Sequence, residues 1–256
     1  IVQTFLKRRF FIQFGKGVNM LKILISPAKK MNIDSDVFQG VSVPYFIEKA
    51  EFLRNILKSM SYEELKKLWK CNDKIAALNF ERLKNMDSKN ALTPAILSYD
   101  GIQYKYIAPN VFTYDQLNYI NEHLIILSGL YGMLRPFDGV IPYRLEMQTK
   151  LSGENFKSLY DFWGSSVADV LSKETDTIIN LASKEYSKVT CSFAQIINGK
   201  PVEKGTLCKM ARGEMVRYMA ENNVKDYKNI KNFNRMNFSY SDALSNESTF
   251  VFIKSN

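Results

Sequence analysis

Histidine is nearly absent from this 256-residue chain: His123 stands alone. A single imidazole excludes zinc sites built on several histidines and most Ser-His-Asp arrangements. Cysteine is scarce too. Cys71, Cys191 and Cys208 are odd in number, far apart and outside any C-x-x-C pairing, which argues against a disulfide framework and for a reducing cytoplasm. Long hydrophobic runs are missing. Stretches such as Ile125 to Leu127 and Phe250 to Ile253 have the length of strands, so no membrane span is expected. Neither G-x-G-x-x-G nor G-x-x-x-x-G-K-[ST] occurs, and Gly129 to Gly132 is too short a pattern to count as either. No repeat, low-complexity tract or Pro/Gly/Ser linker interrupts the chain, which favours one domain.

What is present is enough apolar residue to bury a full core, at 46% hydrophobic, and a net charge of +9. Part of that charge belongs to residues 1–19, which carry Lys7, Arg8, Arg9 and Lys16 and no acid. They lack a clean apolar core and a small-residue cleavage site, so they read as an upstream extension ahead of Met20 rather than a signal peptide. Without them 31 basic residues face 26 acidic ones. The surplus concentrates between Lys184 and Arg235, with eleven Lys or Arg against five Asp or Glu. Lysines and arginines sharing one face can follow a phosphate backbone, although a solvated basic surface has the same composition.

Hydrophobic periodicity predicts a mixed α/β or α+β fold around a central mixed sheet flanked by helices. Strands are expected at Leu21 to Ile25, His123 to Leu127, Thr177 to Leu181, Val189 to Ile197, Leu207 to Met210 and Phe250 to Ile253. Helices are expected at Pro44 to Met60, Thr113 to Asn121, Asn155 to Leu171 and Ala211 to Asn222. Ser61-Tyr-Glu-Glu is a capping box opening a helix to Lys70, and Asn72 caps a second from Asp73 to about Asn85, with Ile75, Leu78 and Leu83 inward. The two form a helical pair like a helix-hairpin-helix, without the usual hairpin glycines.

Three apolar strands end in small and polar residues: Ser26-Pro27-Ala28-Lys29, Ser128-Gly129, and Ala182-Ser183-Lys184-Glu185-Tyr186. If the strands are adjacent and parallel, such ends gather along one edge, where ligands sit. The stretch from Leu127 to Met147 follows one of these ends and holds three glycines, two prolines, two arginines and two acids. Arg135 and Arg144 flank a loop bounded by Pro and Gly, which suits a rigid arginine contacting phosphate in a bidentate manner. Glu146 falls on the same side as Arg144 if the segment is extended, so the two can equally be a pair that pins the loop. Tyr131, Tyr143 and Trp163 are either stacking platforms or core. Lys209 and Arg212 read as a strand-to-helix junction, where backbone N–H groups attract anions.

The segments Ile25-Ser-Pro-Ala-Lys29, Leu127 to Gly132 with Leu134-Arg-Pro136, and Pro142 to Met147 closely resemble the signatures of the YaaA family. So do Leu159 to Gly164, Asn180 to Ser183 with Glu185-Tyr186, and Lys209 with Ala211-Arg-Gly213; Met210 departs from a lysine common there. The resemblance runs from Met20 to the end of the chain. It implies a cytoplasmic peroxide-stress protein that limits free iron and binds double-stranded DNA in a basic cleft of an unusual α/β fold.

On that combined reading, DNA or anion contacts are expected from Lys29, Arg135, Arg144, Lys184, Lys188, Lys209, Arg212 and Arg217. Ser26, Ser128, Gly129, Tyr143, Glu146, Ser183 and Glu185 are expected to line the cleft. No cofactor and no metal are expected, direct iron binding being disfavoured by the lone histidine, and the chain is expected to be monomeric and away from membranes. The alternative is an enzyme acting on a nucleotide, nucleobase or other phosphorylated substrate, with Glu146, Glu185, Tyr143 or Lys29 as acid, base or nucleophile.

Overall fold

The structure, a computed structural model, describes residues 21–33, 42–86, 92–182 and 191–255. In chain order it begins with β1 (Leu21–Ile25), β2 (Lys30–Met31), α1 (Ile47–Ser59), α2 (Tyr62–Trp69) and α3 (Asp73–Lys84). Then come β3 (Thr93–Pro94), α4 (Ala95–Ser98), β4 (Tyr99–Asp100), α5 (Ile102–Ile107) and α6 (Tyr114–His123). β5 (Leu124–Ser128), β6 (Gly132–Leu134), β7 (Gly139–Val140), α7 (Leu159–Trp163), α8 (Ser166–Glu174) and β8 (Thr177–Leu181) follow. The chain closes with β9 (Ser192–Ile197), β10 (Lys200–Val202), α9 (Gly205–Glu221), β11 (Phe238–Tyr240) and β12 (Val251–Lys254). Helices alternate with parallel and antiparallel strands in several sheets, so the fold is mixed α/β. Among the described residues no helix is long and apolar enough to cross a membrane.

The described residues gather into two compact units. The first takes those within 27–100 and 126–167. Its helical pair forms as the sequence predicts at both starts. Ser61 and Glu64 close a capping box over α2, and the Asn72 side chain accepts from the Ile75 N–H to open α3. Lys70 takes the left-handed conformation (φ 47) that a hairpin glycine would otherwise supply. The inward stripe of α3 differs from the expected one. Ala76, Asn79 and Leu83 are buried, whereas Ile75 and Leu78 are exposed. Small Ala76 marks the packed face, and residue size misled the reading. The helix expected over Asn155 to Leu171 is two, α7 and α8, because Gly164 turns the chain at positive φ (47).

The second unit takes the residues within 21–26, 101–125 and 168–255. β1 and β8 pair in parallel, Leu21 with Thr177 through Ile25 with Leu181, and β1 is wholly buried. Such two-sided burial is what a near-continuous Leu/Ile run signals. Lys22 is buried within this run and is held by the Glu122 carbonyl (2.7 Å) and the Glu174 carboxylate (3.2 Å). His123 ends α6 rather than starting a strand; its Nδ1 donates to the Leu21 carbonyl at 2.6 Å, and burial lowers its pKa, so it is a neutral strut. A second sheet, ordered β10-β9-β12-β11, contains a hairpin that turns at Asn198-Gly199, both residues at positive φ (51 and 74).

Leu207 to Met210, expected as a strand, lies inside α9. A stretch as short as Leu-Cys-Lys-Met cannot tell strand from helix, and here the helix continues through Ala211 to bury Cys208, Met215 and Met219 on one face. Gly213 lets α9 lie directly on α5. A Cβ there would overlap the Gln103 carbonyl oxygen and come within 2.6 Å of Tyr106 Cβ. Helix propensity alone makes Gly→Ala stabilising by about 1 kcal/mol, whereas overpacking costs about 1–3 kcal/mol. Gly213→Ala is therefore expected to lower the urea midpoint at unchanged slope, and a raised midpoint would refute the close packing.

Candidate functional site

The first unit explains why the stretch after β5 is rich in glycine and proline. Gly129 follows the buried end of β5, and the Leu145 carbonyl oxygen occupies the place a Cβ would need. The Gly129 carbonyl accepts from the Trp163 indole N–H at 3.0 Å. Gly132 has φ 71 and lies against the Trp163 ring, 2.6 Å from where its Cβ would stand. The turn from Arg135 to Asp138 is tied by the Asp138 carboxylate, which accepts from the Arg135 backbone N–H (2.8 Å) and the Ser42 hydroxyl (2.7 Å). Burial raises the Asp138 pKa while these two bonds oppose the shift. Arg135 itself is exposed on this turn.

This path brings two polar groups together. The Tyr143 hydroxyl lies 2.6 Å from Ser128 Oγ and 2.7 Å from the Tyr99 hydroxyl, and Ser128 Oγ also accepts from the Tyr131 N–H at 2.9 Å. Burial pushes the Tyr143 phenol up to about 12, the bonds to Ser128 and Tyr99 pulling the other way. The chain Tyr99–Tyr143–Ser128 is thus a run of neutral hydroxyls that can pass or share a proton. Next to it in sequence, Glu146 stands between two cations: Lys29 Nζ at 2.7 Å and Arg144 Nη2 at 3.5 Å. Lys29 is 65% exposed, Glu146 21% and Arg144 12%. The trio carries one net positive charge with its lysine towards solvent, which suits an anionic ligand.

Arg144 also faces inward. Its Nε is buried without a hydrogen-bond partner among the described residues, as are Arg54 Nε and Trp69 Nε1, and all three residues line one small cavity. A buried donor left unpaired costs about 1–3 kcal/mol. Tyr131 and Trp163 are core residues, 4% and 0% exposed.

The remaining nominated residues belong to the second unit or lie outside the described residues. Ser26 follows β1 and its carbonyl accepts from the Tyr104 hydroxyl at 2.9 Å. Lys209, Arg212 and Arg217 all lie on α9, not at a strand-to-helix junction. Lys209 is exposed. Arg212 is 7% exposed, with no hydrogen-bond partner for its Nε among the described residues. The Cys191 thiol is pushed up to about 12 by burial, and the positive charge of Arg212 works against that shift. Arg217 is paired with Glu221 at 2.8 Å. Ser183, Lys184, Glu185 and Lys188 are outside the described residues.

Residues 21–244 match the family model described as peroxide stress protein YaaA. A UPF0246 protein of Desulfitobacterium hafniense is 52% identical over 246 residues, covering 91% of this chain and 98% of its own. One from Lachnoclostridium phytofermentans is 52% identical (91% and 96% covered), and one from Pediococcus pentosaceus 49% (91% and 98%). The chain belongs to the YaaA peroxide stress protein family. The Gly129–Leu145 approach that sets Tyr143, Arg144 and Glu146 in place lies within the matched residues.

Sequence reasoning passed over Tyr99, Arg54 and Trp69. Arg54 did leave a signal, since it falls four residues after Ala50 on the stripe of α1 that also buries Leu53 and Leu57. Tyr99 and Trp69 left none, because their roles arise from contacts distant in sequence.

The raised Tyr143 pKa makes an alkaline prediction. An unfolded tyrosine loses its proton near 10, before the folded one does near 12. Stability from this group is therefore complete below pH 10 and falls as pH rises towards 12, by on the order of 2 kcal/mol. Denaturant midpoints measured at pH 9 and 11 should fall less for Tyr143→Phe than for the unaltered protein; equal falls would contradict the assignment.

Proposed function

We propose that the protein is a cytoplasmic peroxide-stress protein that binds double-stranded DNA through its backbone phosphates and helps limit free intracellular iron. Family membership supports the stress role. The observation that carries the DNA reading is the open start of α9. This 17-residue helix begins at Gly205 with no side-chain cap among the described residues and no acid in its first turn. Its first N–H groups and the positive end of its dipole are thus available to an anion. Lys200, Lys204 and Lys209, before and within this first stretch, are all exposed. The nearby acid Glu203 accepts from the Ser192 hydroxyl at 2.8 Å. By contrast, Arg217 and Arg235 are matched by Glu221 and Glu214, so they add little net field.

A second reading, an enzyme acting on a nucleotide, nucleobase or other phosphorylated substrate, is favoured by the first unit. The Tyr99–Tyr143–Ser128 hydroxyl run and the Lys29–Glu146–Arg144 trio bring proton-transfer groups and cations to the short segment from Tyr143 to Glu146.

Duplex affinity measured against salt separates them. Binding should weaken steeply with salt and vary little with sequence, with each phosphate contact contributing about 0.9 to the log–log slope. Replacing Lys200, Lys204 and Lys209 together by alanine should flatten that slope by roughly 2 to 3. A folded triple variant with unchanged affinity and slope would remove the α9 start as the DNA contact.

A further inference from the structure

We propose that the cavity behind Arg144 is a binding site for one halide-sized monovalent anion. Three N–H groups, Arg54 Nε, Trp69 Nε1 and Arg144 Nε, are buried and have no acceptor among the described residues. Their residues come from α1, the end of α2 and the segment after Pro142, yet all three line the same cavity, whose volume of about 10 Å³ holds a single centre the size of a water. Leu57, Leu83, Met86 and Leu130 make up much of the remaining wall.

The two guanidinium groups are satisfied at their outer ends only. Arg54 Nη2 meets Glu51 at 3.5 Å, and Arg144 Nη2 meets Glu146 at 3.5 Å, which leaves both Nε–H groups unmatched. A water molecule accepts at most two hydrogen bonds, so it leaves at least one of the three N–H groups without an acceptor. Among the lining side chains only Asn79 and Tyr143 offer an acceptor, and the Tyr143 hydroxyl already joins Ser128 and Tyr99. A spherical anion accepts from all three N–H groups and donates nothing, and two of those donors are charged. Bound there, it holds Arg144 from behind while Glu146 holds it from the front. The site is independent of the DNA contact at α9.

The test uses the full chain exchanged into gluconate buffer, with ¹⁵N in the indoles of its two tryptophans, Trp69 and Trp163. Chloride replaces gluconate at constant ionic strength. The Trp69 indole resonance should shift and saturate, while that of Trp163, whose N–H donates to the Gly129 carbonyl, should stay still. Arg144→Gln should raise the chloride midpoint by about tenfold, the loss of one charge-assisted contact. Since that variant tests the site only if it folds, crystals of the unaltered protein in bromide provide the second measurement, with an anomalous peak expected in the cavity. Either an unmoved Trp69 resonance up to molar chloride or a water in the place of bromide overturns the proposal.

Discussion

The approach of the Leu145 carbonyl to Gly129 is the constraint on which the first unit's polar groups depend. Any side chain at residue 129 would push the two backbones apart. With the contact in place, Leu145 and Met147 are buried, at 3% and 6% exposure. The residues that alternate with them, Arg144 and Glu146, are then left beside one another and within reach of Lys29. Tyr143 is delivered to Ser128 at the end of β5 by the same register. Trp163 reinforces the contact from the other side through its bond to the Gly129 carbonyl and its ring against Gly132. Glycine, proline and arginine in the stretch thus have separate tasks: the first two set the path, and the third is what the path positions.

The positive charge of the chain divides by environment rather than by sequence density. Arg144, Arg217 and Arg235 are paired with carboxylates, and Arg212 is buried on the inner face of α9. Arginine suits such work, since it stays charged when half-buried and its planar fork matches a carboxylate. The exposed cations around the start of α9 are lysines, whose long stems keep the charge in water where a phosphate can meet it. A basic run read only as a sum of charges treats both groups alike.

Much of the fold was legible because its signals are local. β1 and β8 have the bounds that their apolar runs predict, and the capping box at Ser61 and the Asn72 cap open their helices. The failures arise where a distant contact decides. Leu207 to Met210 is helical because α9 packs as one unit on α5, and α3 turns Ala76 inward in place of the larger Ile75. The segment from Asn155 breaks at Gly164, a residue that sequence alone allows inside a helix at a modest cost. In the site, the segment from Tyr143 to Glu146 could be read from its composition. Its partners Tyr99, Arg54 and Trp69 could not, because no spacing rule links residues 44 or 75 positions apart.

Hydrogen–deuterium exchange in Gly129→Ala tests the central constraint most directly. The account predicts faster exchange across residues 142–149 and loss of protection at the Trp163 indole, while β1 and β8 keep theirs. Unchanged protection of 142–149 in the folded variant would show that the Gly129–Leu145 approach does not hold the segment, and would contradict the account.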